Sequence, residues 1–329
     1  MKSAAIIGLG DIAKVHLPIL QSMSDVELVA VCDINPDKQN IAGDVRFFTD
    51  AQDMLDKVKP DVVHICLPHY LHYPMALLAA KAGSNVFCEK PLALNAAEAM
   101  QFAALEKDYP SLRFGICLQN RLNNSSVKML DVIKSGHDGK VTGVKGVVAW
   151  HRPKAYYEAS PWRGKMDTAG GGVMINQSIH TLDLMQCFAG EITSLTGNIC
   201  QLLDYGIEVE DTATARISFA NGATGLFMAS IANSKNDNIE IGITLENAEY
   251  VIADNALFKL VEGSRELVCE DDKLPGKKFY YGASHAKAIG QYYKSLCDGT
   301  DDYIHADEGV ISMKMIDAIR SSNGGAVTL

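Results

Sequence analysis

The chain has 329 residues, of which 47% are hydrophobic and 21% charged, with a formal net charge of −10. That length accommodates two domains with a core each, and this balance of apolar and charged residues excludes a disordered chain. The acidic surplus, with no run of basic residues to offset it, excludes an electrostatic footprint for nucleic acid or an anionic membrane and points to a small-molecule partner.

The first residues read as a strand and not as a charged and apolar leader, and no apolar run reaches the length needed to cross a bilayer, so a cytoplasmic protein is expected. None of the eight cysteines forms a C-x-x-C pair. Cys32, Cys66, Cys88 and Cys117 lie in or beside predicted strands and read as small buried hydrophobes.

Ala4-Ala5-Ile6-Ile7 is a short apolar run of the kind that makes a buried parallel strand. It breaks at Gly8-Leu9-Gly10-Asp11-Ile12-Ala13, a G-x-G-x-x-A turn. Gly8 permits the tight turn, Gly10 lets backbone amides approach a pyrophosphate, and Ala13 lets the next helix pack closely on the strand. That helix, from Ile12 to Met23, turns its N-terminal amides toward phosphate. A strand from Glu27 to Cys32 follows, and Asp33 stands about twenty residues after the turn, where a carboxylate accepts the ribose hydroxyls of an adenosine and repels a 2′-phosphate. NAD is therefore expected in preference to NADP.

Asn35-Pro36-Asp37 opens a helix, Val45 to Phe48 is a short strand, and Asp50 caps a helix that Lys59-Pro60 stops. Asp61 to Leu67 is the next strand, followed by a helix from Pro74 to Lys81. A strand from Asn85 to Cys88, a helix from Asn95 to Lys107 and a strand from Arg113 to Leu118 complete an alternation that predicts a doubly wound parallel (Rossmann) sheet over residues 1–120. From 121 to 329 the pattern changes to an α+β domain for substrate binding and oligomerisation. A helix from Ser126 to Lys134 leads to a long strand, Val141 to Trp150. Asn221-Gly222 joins Asp211–Phe219 to Ala223–Ser230 as a hairpin. Further strands run over Asn238–Leu245, Tyr250–Ala253 and Ala256–Val261, with helices over Ser284–Cys297 and Asp307–Ser322. These predict an open, mostly antiparallel sheet with helices on one face and a second subunit on the other, hence a homodimer or homotetramer.

Two segments carry chemistry. Glu89-Lys90-Pro91 follows a parallel strand at the end where open sheets of this kind bind ligands. Gly170-Gly171-Gly172 precedes an apolar helix on which Asn176, His180 and Asp183 fall along one stripe by i, i+4 and i+7 spacing. His64, His69 and His72 admit a reading as metal ligands, but they supply no clear tetrahedral set and no metal is expected.

These motifs together resemble the glucose-fructose oxidoreductase and inositol dehydrogenase family (Gfo/Idh/MocA). The resemblance covers nearly the whole chain. It rests on Gly8 to Ala13, Pro68 to His72, Glu89-Lys90-Pro91, Gln119-Asn120-Arg121, Trp162-Arg163-Gly164 and the glycine-rich helix ending at His180 to Asp183. It implies NAD or NADP as cofactor and oxidation of a sugar or cyclitol hydroxyl, or reduction of the ketone, with Lys90 and His180 catalytic. It also implies cofactor contacts from Leu67, Pro68, His69, His72, Glu89, Lys90 and Gln119, besides the turn itself. Arg121, Tyr157, Asp183, Tyr281 and His285 join Asn176 as substrate-binding candidates, while Trp162 and Arg163 either line the substrate pocket or reach the cofactor. The family often has Asp where Asn176 stands; an amide takes no proton, which leaves His180 as the base near neutral pH and Asn176 to orient hydroxyls. An NAD-dependent glycosidase that oxidises its substrate transiently and a non-catalytic NAD-binding regulator are the competing readings.

Overall fold

The computed structural model describes residues 1–273 and 283–329. The chain forms two units, one from Met1–Leu118 with His285–Val310, the other from Gln119–Ser284 with Ile311–Leu329.

In the first unit, strands and helices alternate: β1 Lys2–Ile7, α1 Ala13–Ser22, β2 Val26–Cys32, a 3-10 turn at Pro36–Lys38 with α2 Gln39–Ala42, β3 Arg46–Phe48, α3 Ala51–Val58, β4 Val62–Ile65, α4 His72–Lys81, β5 Asn85–Cys88, α5 Ala96–Asp108 and β6 Phe114–Ile116. The six strands are parallel in the order β3-β2-β1-β4-β5-β6. Such a sheet is covered on both faces, so its strands are apolar throughout; Ala4, Ala5, Ile6, Val62, Val63 and Ile65 are fully buried. Side chains start the helices where the sequence places them. The Asp50 carboxylate accepts the Asp53 N–H at 2.7 Å, and the Asn95 amide oxygen accepts the Glu98 N–H at 2.9 Å.

The second unit contains α6 Asn124–Ser135, β7 Val141–Ala149, the short helices α7 Lys154–Glu158, α8 Met166–Ala169 and α9 Val173–Asn176, then α10 Ile179–Ala189 and the strands β8 Ile192–Cys200, β9 Thr212–Phe219, β10 Thr224–Ser230, β11 Glu240–Leu245, β12 Glu249–Ala253, β13 Ala256–Val261 and β14 Ser264–Glu270. After α11 His285–Asp298, most of α12 Val310–Ser322 and β15 Ala326–Thr328 return to it. Its nine strands run β14-β13-β12-β11-β7-β10-β9-β8-β15, antiparallel except for β7 beside β10. Asn221-Gly222 makes the β9–β10 hairpin, with Gly222 at φ +88°. One face packs on α10 so closely that a Cβ on Gly146 would stand 2.5 Å from Met185 Sδ. The other face exposes Leu226, Met228 and Leu267 among Thr, Ser, Lys and Arg side chains.

The helix α11 differs from the division at 120/121. Tyr292 and Tyr293 are fully buried in the first unit, where the Tyr292 hydroxyl donates to the Arg113 carbonyl at 2.9 Å and Tyr293 meets His64. Two phenols that need both apolar surroundings and a polar partner hold the helix there. Among the described residues no helix is long and apolar enough to cross a membrane.

The parallel pair β1 and β4 is stapled at its start. Asp61 Oδ2 accepts the Ser3 N–H and hydroxyl, both at 2.8 Å, and the Asp61 N–H donates to Ser3 Oγ at 2.9 Å. Burial pushes the Asp61 carboxyl up, but the two Ser3 bonds, followed by the Lys2 and N-terminal charges, outweigh it and hold the group below its usual range. A depressed folded value contributes stability above the unfolded pKa of about 3.9 that is lost as pH falls through the folded value. Ser3→Ala should cost about 1 kcal/mol at neutral pH. In urea unfolding its deficit relative to wild type should shrink as the pH is taken below about 4.

Candidate active site

The turn after β1 is built as its glycines require. Gly8 lies at φ +95°, and a Cβ there would stand 2.4 Å from the Cys66 carbonyl oxygen, so only glycine lets β1 run this close to the end of β4. A Cβ on Gly10 would meet no protein atom within 4 Å. Packing within the chain therefore does not demand glycine at that position, and the space beside the turn is open. Ile12 precedes α1 with no side-chain cap, which leaves the helix amides pointing outward. Asp33 completes the turn: one carboxylate oxygen accepts the Leu9 N–H at 2.8 Å and the other the Asn35 N–H at 2.9 Å. These features fit an adenine dinucleotide. Asp11 stays at the surface, paired with Lys14 at 3.2 Å.

The loop after β4 is tied down by His72, which is buried, with Nδ1 2.6 Å from the Pro91 carbonyl oxygen and Nε2 2.8 Å from that of Leu67. It thereby joins the Leu67–Pro68 segment to Glu89-Lys90-Pro91, while His69 packs against it with ring centroids 5.8 Å apart. Lys90 is half-buried, and Glu89 beside it is buried and hydrogen-bonded to His16 at 2.9 Å. His285 lies in this unit as well, buried, its Nε2 3.8 Å from Glu89 Oε1. Burial holds its pKa down to about 4 against the pull of Glu89. His16, Glu89 and Cys117 bring ligand-type atoms within 4.8 Å of one another, yet His16 and Glu89 spend theirs on each other.

In the second unit the glycine run Gly170–Gly172 is gripped by Glu210. Its carbonyl accepts the Val173 N–H at 2.9 Å and its carboxylate the Met174 N–H at 3.2 Å, and a Cβ on Gly172 would stand 1.8 Å from that carbonyl oxygen. The stripe from Asn176 to Asp183 assumes one continuous helix, and the structure breaks it. The Ser178 N–H and hydroxyl both donate to the Val173 carbonyl, at 3.0 and 2.9 Å, which ends α9 and starts α10 one residue later. Asn176 thus closes α9 and donates to the Gly171 carbonyl at 3.3 Å, while His180 sits, buried, in the first turn of α10. Asp183 meets Arg121 instead in a buried fork, Nε to Oδ2 at 2.8 Å and Nη2 to Oδ1 at 2.7 Å. Gln119 is buried at the head of this unit. Tyr157 is buried too, its phenol pushed up by burial and then by Tyr156. Arg163 stacks on Tyr156 at 4.6 Å and on Trp162 at 5.3 Å. Tyr281 lies outside the described residues.

Sequence reasoning missed His16, Tyr293 and Glu210. His16 had a signal, a lone imidazole in the apolar face of the first helix, and Glu210 had one in the acidic pair Glu210-Asp211 just before a strand.

Comparison with known proteins follows the same division. Residues 2–112 match the Gfo/Idh/MocA model described as an oxidoreductase family with an NAD-binding Rossmann fold, and residues 127–251 match the model of that family's C-terminal domain. The chain belongs to the Gfo/Idh/MocA family. It is 32% identical over 186 residues to the D-glucoside 3-dehydrogenase of Escherichia coli, covering 54% of this chain and 51% of that protein. Against the myo-inositol 2-dehydrogenase of Thermotoga maritima it is 26% identical over 231 residues, 67% of this chain and 66% of that one. The matches thus span about half to two thirds of these curated relatives' length. Among solved structures, the WlbA dehydrogenase from Bordetella pertussis, in complex with NADH and UDP-GlcNAcA, superposes with a TM-score of 0.87 at 26% identity, covering 99% of this chain and 98% of that one.

Asp33 should select NAD over NADP, and its bond to the Leu9 N–H gives it a second duty in holding the turn. Asp33→Ser should narrow the preference while weakening both dinucleotides. Gly10→Ala should leave the melting temperature unchanged and weaken NAD. Titrating the variants with NAD and NADP by protein fluorescence checks both, and tighter NADP than NAD binding by the wild type would refute the reading of Asp33.

Proposed function

We propose that the protein is an NAD-dependent oxidoreductase that transfers a hydride between nicotinamide and a hydroxyl-bearing or ketone carbon of a sugar, sugar derivative or cyclitol. The observation that carries this is the place of Lys90, two residues past the carboxyl end of β5 in the sheet whose β1 ends on the glycine turn. The named activities of the glucoside and inositol dehydrogenases support it. Gly8, Gly10, Asp11, Ile12, Ala13 and Asp33 hold the dinucleotide, with further contacts from Leu67, Pro68, His69, His72, Glu89, Gln119, Trp162 and Arg163. NAD, when bound, supplies the hydride acceptor for oxidation and, reduced, the donor for the reverse direction.

The chain's own residues divide the remaining work. Lys90 stabilises negative charge developing on the substrate oxygen, and His180 accepts the hydroxyl proton in oxidation or returns it in reduction. Asn176 orients neighbouring hydroxyls by donating and accepting hydrogen bonds, and Arg121, Tyr157, Asp183 and His285 complete the substrate side. We place the protein in the cytoplasm and read it as a homodimer or homotetramer. The support for assembly is the outer face of the nine-stranded sheet, where Leu226 is 58% exposed, Met228 39% and Leu267 57%.

A panel of sugars and cyclitols assayed for net NADH formation should yield a substrate. On it, Lys90→Ala and His180→Ala should each lower kcat by about a hundred- to ten-thousand-fold with NAD affinity nearly intact. The oxidation pH profile should show one dominant ionisation that disappears in the His180 variant. A His180→Ala enzyme with wild-type rate and pH dependence would make that residue structural. Light scattering at micromolar concentration should report an oligomer; a monomer would remove the role given to the sheet face.

A further inference from the structure

Beneath Lys90 runs a chain of four buried polar side chains drawn from four separate elements of the first unit. Tyr293 Oη on α11 lies 3.0 Å from His64 Nε2 on β4; His64 Nδ1 lies 3.0 Å from His16 Nδ1 on α1; and His16 Nε2 lies 2.9 Å from Glu89 Oε1 at the end of β5. The other carboxylate oxygen, Oε2, accepts the Lys90 backbone N–H at 3.3 Å.

The chain has few proton arrangements. An ionised carboxylate has no hydrogen to give, so His16 Nε2 must be the donor to Glu89. If His16 is neutral, its Nδ1 accepts from His64 Nδ1–H, and His64 Nε2 accepts the Tyr293 hydroxyl. If His16 is protonated, its Nδ1–H donates to His64 Nδ1, and His64 Nε2–H donates to Tyr293. His64 is neutral in both, in keeping with burial and then the adjacent His16, which hold its pKa well below the usual value.

The groups facing Glu89 leave it the one anion of the cluster. Burial, and then Glu89 itself, push the Cys66, Cys88 and Cys117 thiols far up, burial likewise keeps Tyr293 a phenol, and burial holds His72 and His285 down. Burial alone would protonate Glu89 too, but the His16 bond and the His16, His285 and Lys90 charges outweigh it and hold the carboxyl far below its usual range. A buried carboxylate stays ionised only where hydrogen bonds and nearby positive charge offset its desolvation. Lys90 follows Glu89 directly in the chain, its backbone N–H on Oε2 and its charge among those that hold the carboxyl down.

We propose that Glu89, anchored by the Tyr293–His64–His16 chain, is a positioning residue for Lys90 that fixes the peptide from which Lys90 springs and keeps its ammonium charged. This rests on the catalytic reading of Lys90 for its consequence in turnover, but not for its physical content. The ammonium form is the one that stabilises an alkoxide-like oxygen, so the carboxylate keeps Lys90 competent toward the alkaline side, where a hydroxyl substrate is most readily deprotonated.

The test reads Lys90 directly. The full-length protein and Glu89→Gln, an isosteric change that removes the charge and turns one acceptor oxygen into a donor, are trace-labelled with an amine-reactive reagent near neutral pH, and modification of Lys90 is followed by peptide mass spectrometry. Loss of the opposite charge should make Lys90 label about tenfold faster or more. An unchanged labelling rate in folded Glu89→Gln overturns the proposal. Should that variant not fold, nitrogen-15 NMR of the wild-type histidines decides: His16 must carry hydrogen on Nε2 and His64 on one nitrogen only. A bare His16 Nε2 means a protonated Glu89 and ends the proposal. If labelling rises as expected but no sugar or cyclitol reduces NAD, this inference stands and the assigned reaction is what fails.

Discussion

The carbonyl of Cys66 lies so near the turn after β1 that Gly8 can have no side chain, and most of the first unit follows from that contact. It brings the ends of β1 and β4 together where the strand order reverses, and a doubly wound sheet opens a crevice at that place. From β1 the chain leaves through the glycine turn into α1, which carries His16 on its buried side. From β4 it leaves through Leu67 and Pro68, with His64 just before. The pairing of β1 with β4 therefore sets the dinucleotide turn and the His16–His64 contact at once. A larger residue at position 8 disturbs both.

The second unit reaches a comparable rigidity by different means. Glu210 holds the glycine run through its carbonyl and its carboxylate, and the contact is too close for any side chain on Gly172. The break at Ser178 then leaves Asn176 at the end of one short helix and His180 in the first turn of the next. Arg121 and Asp183 neutralise each other in a fork, and this fixes the first turns of α10 against the segment that opens the unit. Each of these is a short-range constraint on backbone direction, and together they set where the eleven-residue helix that carries His180 begins.

The parallel sheet was legible in the sequence because its signals are local. Apolar runs such as Ala4–Ile7 and Val62–Ile65, caps at Asp50 and Asn95, and the glycine turn each declare themselves within a few residues. The hairpin at Asn221-Gly222 is of the same kind. What stayed hidden depends on contacts between distant residues. The bond of His16 to Glu89 spans 73 positions and that of His64 to Tyr293 spans 229, so no pattern within a window shows them. The broken helix at Gln177–Ser178 escaped for a subtler reason: serine disturbs a helix only when its hydroxyl turns back to a carbonyl, a choice that packing makes. The edge strand β15 has three residues and no alternation to read.

The return of α11 to the first unit also bears on how the protein is made. Residues 119–284 leave the ribosome between the two halves of that unit. At ordinary elongation rates this interval lasts roughly ten to thirty seconds. During that time the parallel sheet lacks Tyr292 and Tyr293, and His64 and Phe87 lack the aromatic rings that later lie against them. The nascent first unit thus waits with an uncovered apolar face while the later unit can already complete its central strands. Both units therefore close only as the last residues emerge, the first with His285–Val310 and the second with Ile311–Leu329.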